Sequence, residues 1–348
     1  MLAAARLGRA VKRKGGTGLN CYRVLGLDGG GIRGLIPAHV LKEIETHMGR
    51  PVSEMFDLVA GTSTGGILAL GLTKPDEDGK PQFSASDMCD LYLKDGTTIF
   101  PHSMFQEVKT LHGLADARYP AGAIERILAQ RFGETMLSQA LAEVVIPSYD
   151  VSAPGPYFFK REYAANETED WDVRMALVAR ATSAAPTYFD PAVVPSAEGR
   201  GDHALVDGGT FANNPTLSGY VDALRLKQEI PRVVVVSIGT GLPPQTPGSG
   251  PIPIQANKVA DFGLVKWARP ILEVVLDGVP KAVEYQMRAI QAANPDALGY
   301  YRLQSALPTA SHALDDASPE NCAKLVADAE TLVRENAETL EQIFAELA

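Results

Sequence analysis

The hydrophobic residues of this chain lie in short runs, each followed by a glycine-rich turn and then by an amphipathic or apolar stretch. Residues 22–27 form one apolar run that enters the sequence DGGGIRG, and residues 35–48 then carry apolar side chains at helical spacing. Residues 56–60 form a second run that leads through GTSTGG into the apolar stretch at 67–72. The pattern therefore predicts a strand, a tight turn and a helix, twice in succession.

Further along the chain, short apolar segments continue to alternate with stretches of helical spacing. New strands are predicted at 144–146 and 204–206, and the sequence VVVVSIGTG after Arg232 is typical of a strand buried on both faces of a parallel sheet. Residues 265–290 and 319–347 are predicted to be helices beyond a proline-rich loop. Strands that alternate with helices predict an α/β fold.

Composition narrows the class of protein. With 45% hydrophobic and 21% charged residues, the chain can bury a substantial core, which excludes a disordered or fibrous protein. The formal net charge of -10 has the wrong sign for covering nucleic-acid phosphates, so no nucleic-acid partner is expected. Cys21, Cys89 and Cys322 lie far apart and form no CxxC pair, which indicates neither a disulfide framework nor a zinc site and favours a reducing cytoplasm.

Two segments bear on membranes. The apolar stretch at 58–73 contains glycines and hydroxyls and is too short to span a bilayer, so no transmembrane helix is predicted. The leader MLAAARLGRAVKRKGG has five basic residues and no acid, but its charges follow the apolar residues, unlike those of a secretory signal. Three interpretations of residues 1–20 stay open: a disordered basic tail, an over-long start site, and a segment that touches an anionic membrane surface.

The sequence Gly61-Thr62-Ser63-Thr64-Gly65 fits the motif G-x-S-x-G, and it lies between a predicted strand and a predicted helix. A serine held in such a sharp turn is sterically crowded, so small residues on either side leave room for a substrate to reach its hydroxyl. The following helix also places its positive end near developing negative charge. Ser63 is therefore the candidate nucleophile.

The earlier turn, DGGGIRG, permits two functional interpretations. Gly29-x-Gly31-x-x-Gly34 fits the dinucleotide motif G-x-G-x-x-G, yet Asp57 precedes the second apolar run, whereas a ribose-binding acid should end it. The three consecutive glycines suit an oxyanion hole better, because their unhindered backbone N–H groups can converge on a tetrahedral intermediate. Arg33 is interpreted as orienting this turn, as meeting a phosphate headgroup, or as part of a surface salt bridge.

A catalytic serine needs a base, and no histidine has the placement after a late strand that a Ser-Asp-His hydrolase requires. The histidines are His39, His47, His102, His112, His203 and His312. Asp207 instead opens the turn Asp207-Gly208-Gly209 after an apolar run, where a carboxylate can be held at the sheet edge. Its pKa must be raised by partial desolvation if it is to act as a base near neutrality. A turn-forming Asx residue is the alternative interpretation of Asp207.

Taken in order, these motifs resemble those of the patatin-like phospholipase family. The similarity extends through the blocks LGLDGGGIRG, FDLVAGTSTGG, ARATSAAPTYF, VDGGTFANNP and VVVSIGTG. It implies a three-layer α/β/α sandwich around a mostly parallel central sheet. It also implies a Ser63–Asp207 dyad in place of a triad, with an oxyanion hole built from the backbone of Gly29, Gly30 and Gly31. The motif residues expected to support this site are Arg33, Gly34, Gly61, Gly65, Gly208 and Gly209.

The resemblance further implies a calcium-independent lipid acyl hydrolase that cleaves carboxylic esters of membrane glycerolipids through an acyl-serine intermediate, with no cofactor or metal. Residues 21–245 are expected to form the catalytic core, and residues 246–348 a mainly helical extension packed on the same domain. We expect a cytoplasmic protein that contacts the membrane surface transiently. Two alternatives stay open: an α/β-hydrolase esterase that uses His203 or His312 as its base, and a nucleotide-binding module built on residues 29–34.

Overall fold

The computed structural model contains an eight-stranded sheet with helices around it. It describes residues 21–100, 119–166, 172–196, 201–226, 231–242 and 270–348. The strands, in chain order, are β1 (Cys21–Leu27), β2 (Leu58–Gly61), β3 (Glu143–Asp150), β4 (Gly155–Lys160), β5 (Ala192–Val194), β6 (His203–Asp207), β7 (Arg232–Ile238) and β8 (Leu298–Leu303). The basic tail expected at 1–20 lies outside the described residues.

The strands pair in the sequence β5-β6-β3-β2-β1-β7-β8, and β3 also pairs with β4. The neighbours β3, β2, β1, β7 and β8 run parallel to one another, whereas β4, β5 and β6 join by antiparallel pairing. Strands β1 and β7 are almost wholly buried, as expected for parallel strands that are covered on both faces. The prediction of an α/β fold with a mostly parallel sheet is confirmed.

The α-helices of the described residues vary from single turns to long helices, and three carry most of the C-terminal part. They are α1 (Leu35–Met48), α2 (Val52–Met55), α3 (Thr64–Thr73), α4 (Ala85–Asp90), α5 (Gly96–Ile99), α6 (Gly122–Phe132), α7 (Arg161–Asn166), α8 (Met175–Thr182), α9 (Gly209–Ala212), α10 (Thr216–Leu226), α11 (Pro270–Ala293), α12 (Pro319–Glu335) and α13 (Ala337–Leu347). Within the described ranges, no helix combines the length and the apolar character needed to cross a membrane.

The side chains of β1 show how the layers are arranged. Leu25 and Leu27 belong to a hydrophobic cluster that includes residues of α1, α3, α12 and α13. Tyr22 and Val24 belong to a second cluster, which includes residues of α10 and α11. Because alternate residues of a strand face opposite sides of a sheet, the two clusters place a helical layer on each face. The predicted three-layer α/β/α sandwich is confirmed.

The C-terminal part of the sequence holds a strand that the hydrophobic pattern did not predict. Strand β8 follows α11 and extends the sheet by pairing in parallel with β7. The stretch at 319–347, predicted as one helix, is two helices, because the backbone leaves the helical conformation at Asn336. Ser318 begins α12 as its N-cap, and its hydroxyl accepts a hydrogen bond from the Asn321 N–H at 3.2 Å.

A buried ion pair ties the turn after β1 to β8. The guanidinium of Arg302 donates to Asp28 Oδ1 at 2.9 Å and to Ser237 Oγ at 2.8 Å, and the side chains of the ion pair are each 2% exposed. Charges buried this deeply need each other, since each ion loses several kcal/mol of solvation on leaving water. Asp28 opens the sequence DGGG, so the pair fixes where this turn leaves the sheet.

Replacing Arg302 with leucine should destabilise the fold by about 3–5 kcal/mol, because Asp28 is then left buried without its partner. Urea unfolding at pH 7 measures this loss as a lower midpoint. Lys324, whose ion pair with Glu320 is exposed, gives the matched control, and Lys324→Met should unfold at the wild-type midpoint. Equal losses in the two variants would contradict a structural role that is specific to the buried pair.

Candidate active site

The ends of β2 and β6 meet because both strands use one edge of β3. Val145 of β3 pairs with both β2 and β4, and Ser148 pairs with both β6 and β4. A strand has two edges, and β4 holds one of them at both positions, so β2 and β6 share the other. The two strands run in opposite directions along it and point their carboxyl ends at each other. Ser63 follows β2, and Asp207 ends β6.

Ser63 lies in a strained turn between β2 and α3. Its φ of 55° and ψ of -122° are rare for a residue with a side chain. A Cβ on Gly61 would lie 2.1 Å from the carbonyl oxygen of Gly65, so the turn closes only with glycine at this position. The Ser63 N–H donates to Thr182 Oγ1 at 3.0 Å, and the Thr182 hydroxyl donates to the Pro147 carbonyl at 2.6 Å. These contacts hold the Ser63 backbone in its strained conformation.

Asp207 accepts a hydrogen bond at the end of β6 from the Gly209 N–H to Oδ1 at 2.7 Å. Burial raises the pKa of the Asp207 carboxyl to about 6, although the nearby Ser63 hydroxyl and the Gly209 N–H favour the ionised form and oppose that rise. The carboxylate is therefore ionised at neutral pH and is a stronger base than an exposed aspartate.

The glycine turn after β1 lies beside this pair. The Gly29 N–H donates to the Asn213 carbonyl at 2.9 Å, so that donor is already committed within the fold. Gly30 and Gly31 line the same cleft as Ser63, and their N–H groups have no hydrogen-bond partner in the described part of the chain. Of the three glycines expected to form an oxyanion hole, Gly30 and Gly31 therefore keep donors for a substrate.

The remaining motif residues let the turns approach one another. A Cβ on Gly34 would lie 2.1 Å from Thr64 Oγ1, and a Cβ on Gly208 would lie 2.4 Å from a carbonyl oxygen of β3. Arg33 is buried, and its guanidinium donates to the Gly30 carbonyl at 3.4 Å and to the Gly241 carbonyl at 3.5 Å. This geometry favours the interpretation that Arg33 orients the turn.

The structure separates the described histidines from Ser63. His203 begins β6, at the opposite end from Asp207, and its Nδ1 lies 2.5 Å from Asp150 Oδ2. Neither His203 nor His312 lines the cleft that contains Ser63. His39 and His47 lie on α1, and His102 and His112 lie outside the described residues. The arrangement favours an aspartate over a histidine as the partner of Ser63.

The acid that a dinucleotide site would need is also misplaced. Asp57 precedes β2, and its carboxylate accepts a hydrogen bond from the backbone N–H of Arg23 at 2.9 Å, near the start of β1. The glycine turn lies at the other end of β1. A ribose bound near residues 29–34 would therefore not reach Asp57, which disfavours the nucleotide-binding interpretation.

Ser63 and Asp207 open into a mainly apolar cleft. Its apolar lining includes Ile67, Leu91, Ile99, Phe189, Leu276 and Leu314. One wall contains Leu91–Asp95, which has π-helical hydrogen bonding between α4 and α5. In the ranges given above, no three His, Cys, Asp or Glu side chains are grouped so that they could hold a metal ion. The cleft therefore presents a mainly apolar surface next to Ser63.

Two residues of the site were not singled out from the sequence. Thr182 lies within the block ARATSAAPTYF and Asn213 within the block VDGGTFANNP, but the sequence indicates no role for either residue. Thr182 reaches Ser63 across 119 residues of sequence, and Asn213 contacts the glycine turn through its own backbone carbonyl. That both residues lie in sequence blocks of the resembled family was the signal that could have pointed to them. Their contacts with the site, however, depend on the fold.

Comparison with known proteins gives a consistent result. A family model described as patatin-like phospholipase matches residues 25–220. Patatin-like protein 2 of Arabidopsis thaliana is 32% identical, over 90% of this chain and 83% of that protein. A Solanum tuberosum protein named "Probable inactive patatin-3-Kuras 1" is 31% identical, over 90% of this chain and 86% of its own length. Among solved structures, VipD from Legionella pneumophila matches with a TM-score of 0.40 and 13% identity, over 91% of this chain and 67% of that one.

The chain belongs to the patatin-like phospholipase family. Membership supports lipid acyl hydrolysis as the broad class of activity. One relative is named as probably inactive, so membership alone does not establish that this chain is a catalyst. Catalysis by this chain therefore depends on the residues of its own site.

The raised pKa of Asp207 predicts the acid limb of the pH profile. The base must be ionised to accept a proton, so kcat/KM should fall as the pH drops through about 6. The measurement is kcat/KM for a short-chain ester from pH 4 to pH 9 at two temperatures. The ionisation of a carboxyl group changes little with temperature, whereas that of an imidazole moves to lower pH on warming. An acid limb that shifts to markedly lower pH on warming would identify a histidine as the base.

Proposed function

We propose that this protein hydrolyses carboxylic ester bonds of membrane glycerolipids, with Ser63 as nucleophile and Asp207 as its general base. The observation that supports this most strongly is the placement of Ser63 beside the buried Asp207 carboxyl, where the ends of β2 and β6 meet on one edge of β3. A carboxyl group with a pKa of about 6 can accept a proton near neutral pH and return it within the same reaction cycle. The dyad thus has both the contact and the basicity that a serine nucleophile needs.

In the first step, Asp207 accepts the Ser63 hydroxyl proton as Oγ attacks the carbonyl carbon of the ester. The carbonyl oxygen becomes an oxyanion, and the N–H groups of Gly30 and Gly31 are its proposed donors. Asp207 then gives the proton to the alcohol oxygen of the lipid as the ester C–O bond breaks. The alcohol leaves, and the acyl group remains on Ser63 as an ester.

In the second step, water takes the place of the alcohol. Asp207 accepts one proton from the water as its oxygen attacks the acyl carbon, and the same backbone donors stabilise the second oxyanion. The bond from the acyl carbon to Oγ breaks, and the proton passes from Asp207 to Ser63. A fatty acid is released, and both side chains return to their starting state.

The apolar lining of the cleft supports a lipid as the substrate. Ser63 and Asp207 supply the polar atoms needed at the reacting ester, while the surrounding side chains are mainly aliphatic and aromatic. A fatty acyl chain gains roughly 0.8 kcal/mol for each methylene group that such a lining removes from water. Long acyl chains should therefore bind in the cleft more tightly than short ones.

The outer face of α11 supports contact with a membrane. Leu276 of α11 lines the cleft, and on the same turns of this helix Ile271 and Val274 are 48% and 43% exposed. A lipid in a bilayer must reach the cleft from the membrane, so we propose that these two side chains enter the bilayer surface beside it. The three free cysteines fit a cytoplasmic setting from which the protein visits that surface.

Ser63→Ala should abolish ester hydrolysis, because loss of the nucleophile can cost on the order of 10⁶ in turnover. Asp207→Asn keeps the shape of the base but removes the proton acceptor, so kcat should fall by about 10² to 10⁴. The controls are His203→Gln and His312→Gln, which should retain wild-type turnover. Steady-state assays with a p-nitrophenyl ester, with circular dichroism to confirm folding, make the comparison. An active Asp207→Asn enzyme together with an inactive histidine variant would establish a triad instead.

The double variant Ile271→Asn/Val274→Asn should hydrolyse phosphatidylcholine vesicles roughly tenfold more slowly, because two apolar side chains no longer stabilise the bound state. Its turnover of a short-chain ester should equal that of the wild type. The matched control is Val221→Asn/Leu224→Asn, which alters a similarly exposed pair on α10. Equal loss on vesicles in both double variants would refute a specific membrane contact through α11.

A further inference from the structure

Leu276 of α11 lies over the turn that follows Asp207. A Cβ on Gly209 would lie 2.9 Å from Leu276 Cδ2 and 3.1 Å from Asp207 Oδ1, so both groups pack against the open side of this glycine. Both residues line the cleft, and Leu276 is partly exposed whereas Asp207 is only 5% exposed. The aliphatic side chain therefore occupies space beside the carboxyl group that water could otherwise fill.

The backbone of α11 is anchored at the same residue by a hydrogen bond that a proline makes possible. Pro280 lies inside α11 and has no N–H to donate to the carbonyl four residues earlier, which belongs to Leu276. Asn213, directly after α9, supplies a donor, and its Nδ2 lies 2.9 Å from the Leu276 carbonyl oxygen. Helix α9 begins at Gly209 and packs against α11, so this hydrogen bond joins α11 to the turn that follows Asp207.

We propose that Leu276 covers Asp207 and keeps water from its carboxyl group, and that Asn213 and Pro280 fix Leu276 in this place. The proposal rests on the function proposed above, because it concerns the base of that reaction. A carboxylate that loses hydrating water is a stronger base, since its charge is then less well stabilised. Leu276 transfers no proton and acts only through Asp207, so it is a positioning residue.

The immediate neighbours of Asp207 leave burial as the main influence on its basicity. Strand β3 places Ser148 opposite it, Ser63 precedes α3, Gly209 begins α9, and Ala184, after α8, accepts its backbone N–H. None of these residues carries a charge. Burial raises the pKa of Asp207, and no charged side chain of the described residues contributes to that rise.

The charged groups on the surrounding elements face elsewhere. Asp277, the next residue of α11, acts together with Arg33 on His312, and burial and Arg33 lower the pKa of that histidine. In the described lining of the cleft, Tyr92 and Tyr188 are the other titratable side chains. His312 is thus the group among these whose charge changes near the acid limb, and His312→Gln tests its influence.

The acid limb of kcat/KM tests this cover, because the limb reports the pKa of the base in the free enzyme. Leu276→Ala admits water to the carboxyl group, so the limb should move from about pH 6 to lower pH by about 1, which is part of what full burial can cause. Leu276→Met keeps an apolar cover and should retain the wild-type limb. A variant that only loosened the fold would lower the rate without moving the limb.

Leu314→Ala is the matched control, because Leu314 lines the same cleft beside Gly31 and not beside Asp207. A Cβ on Gly31 would lie 2.1 Å from the Leu314 carbonyl oxygen. The KM of this variant for the ester can change, but its acid limb should coincide with that of the wild type. The limb of His312→Gln should coincide with it as well.

The anchor is tested by Asn213→Ala, which removes the donor to the Leu276 carbonyl and should move the acid limb in the same direction as Leu276→Ala does. The double variant Asn213→Ala/Pro280→Ala returns a helical N–H to that carbonyl but does not restore the link to α9. Its acid limb should stay at the lower pH. A return to the wild-type limb would overturn the role of Asn213 as the anchor.

The ionisation of Asp207 is also measured without catalysis, by ¹³C NMR of the aspartate carboxyl carbons, with Asp207→Asn to assign the signal. A lower pKa of Asp207 in Leu276→Ala supports the cover. An unchanged pKa, or an equal shift in Leu314→Ala, overturns the proposal. Hydrolysis by Ser63→Ala would instead overturn the proposed function, and the NMR titration would still decide whether Leu276 keeps water from Asp207.

Discussion

Strands β2 and β6 both pair with the same edge of β3, and the geometry of the site depends on this constraint. Because β4 occupies the other edge, β2 and β6 must approach each other head to head, and the residues after their ends cannot avoid contact. Ser63 and Asp207, the proposed nucleophile and its base, are thus positioned by backbone pairing in the sheet. Hydrogen bonds such as that from the Ser63 N–H to Thr182 then adjust the local geometry of two turns that the strand pairing has already brought together.

The same arrangement places functional groups where they oppose stability. Ser63 has an unfavourable backbone conformation, the Asp207 carboxyl is buried with a raised pKa, and Asn213 Oδ1 has no hydrogen-bond partner among the described residues. Each of these features costs free energy in the folded state, and the extensive packing on both faces of the sheet must offset the cost. The pattern is expected of a site in which the groups are held ready before a substrate arrives.

Much of the fold was predictable from the sequence because its signals are local. The two glycine turns, the apolar strands before them and the position of Ser63 follow from neighbouring residues. Strand β8 was not predictable in the same way, since Arg302 interrupts its apolar pattern and is accommodated by Asp28, 274 residues earlier, and by Ser237. The commitment of the Gly29 N–H and the placement of Asn213 likewise depend on contacts between distant segments, which hydrophobic periodicity does not encode.

The ion pair between Asp28 and Arg302 has a consequence for biosynthesis. The ribosome adds Arg302 long after both glycine turns have emerged, so the first turn has no partner for its buried carboxylate during most of translation. A nascent chain that carries Ser63 therefore still lacks the support that positions its proposed oxyanion donors. Under the proposed function, competence to hydrolyse esters would therefore arise only after Arg302 has been added.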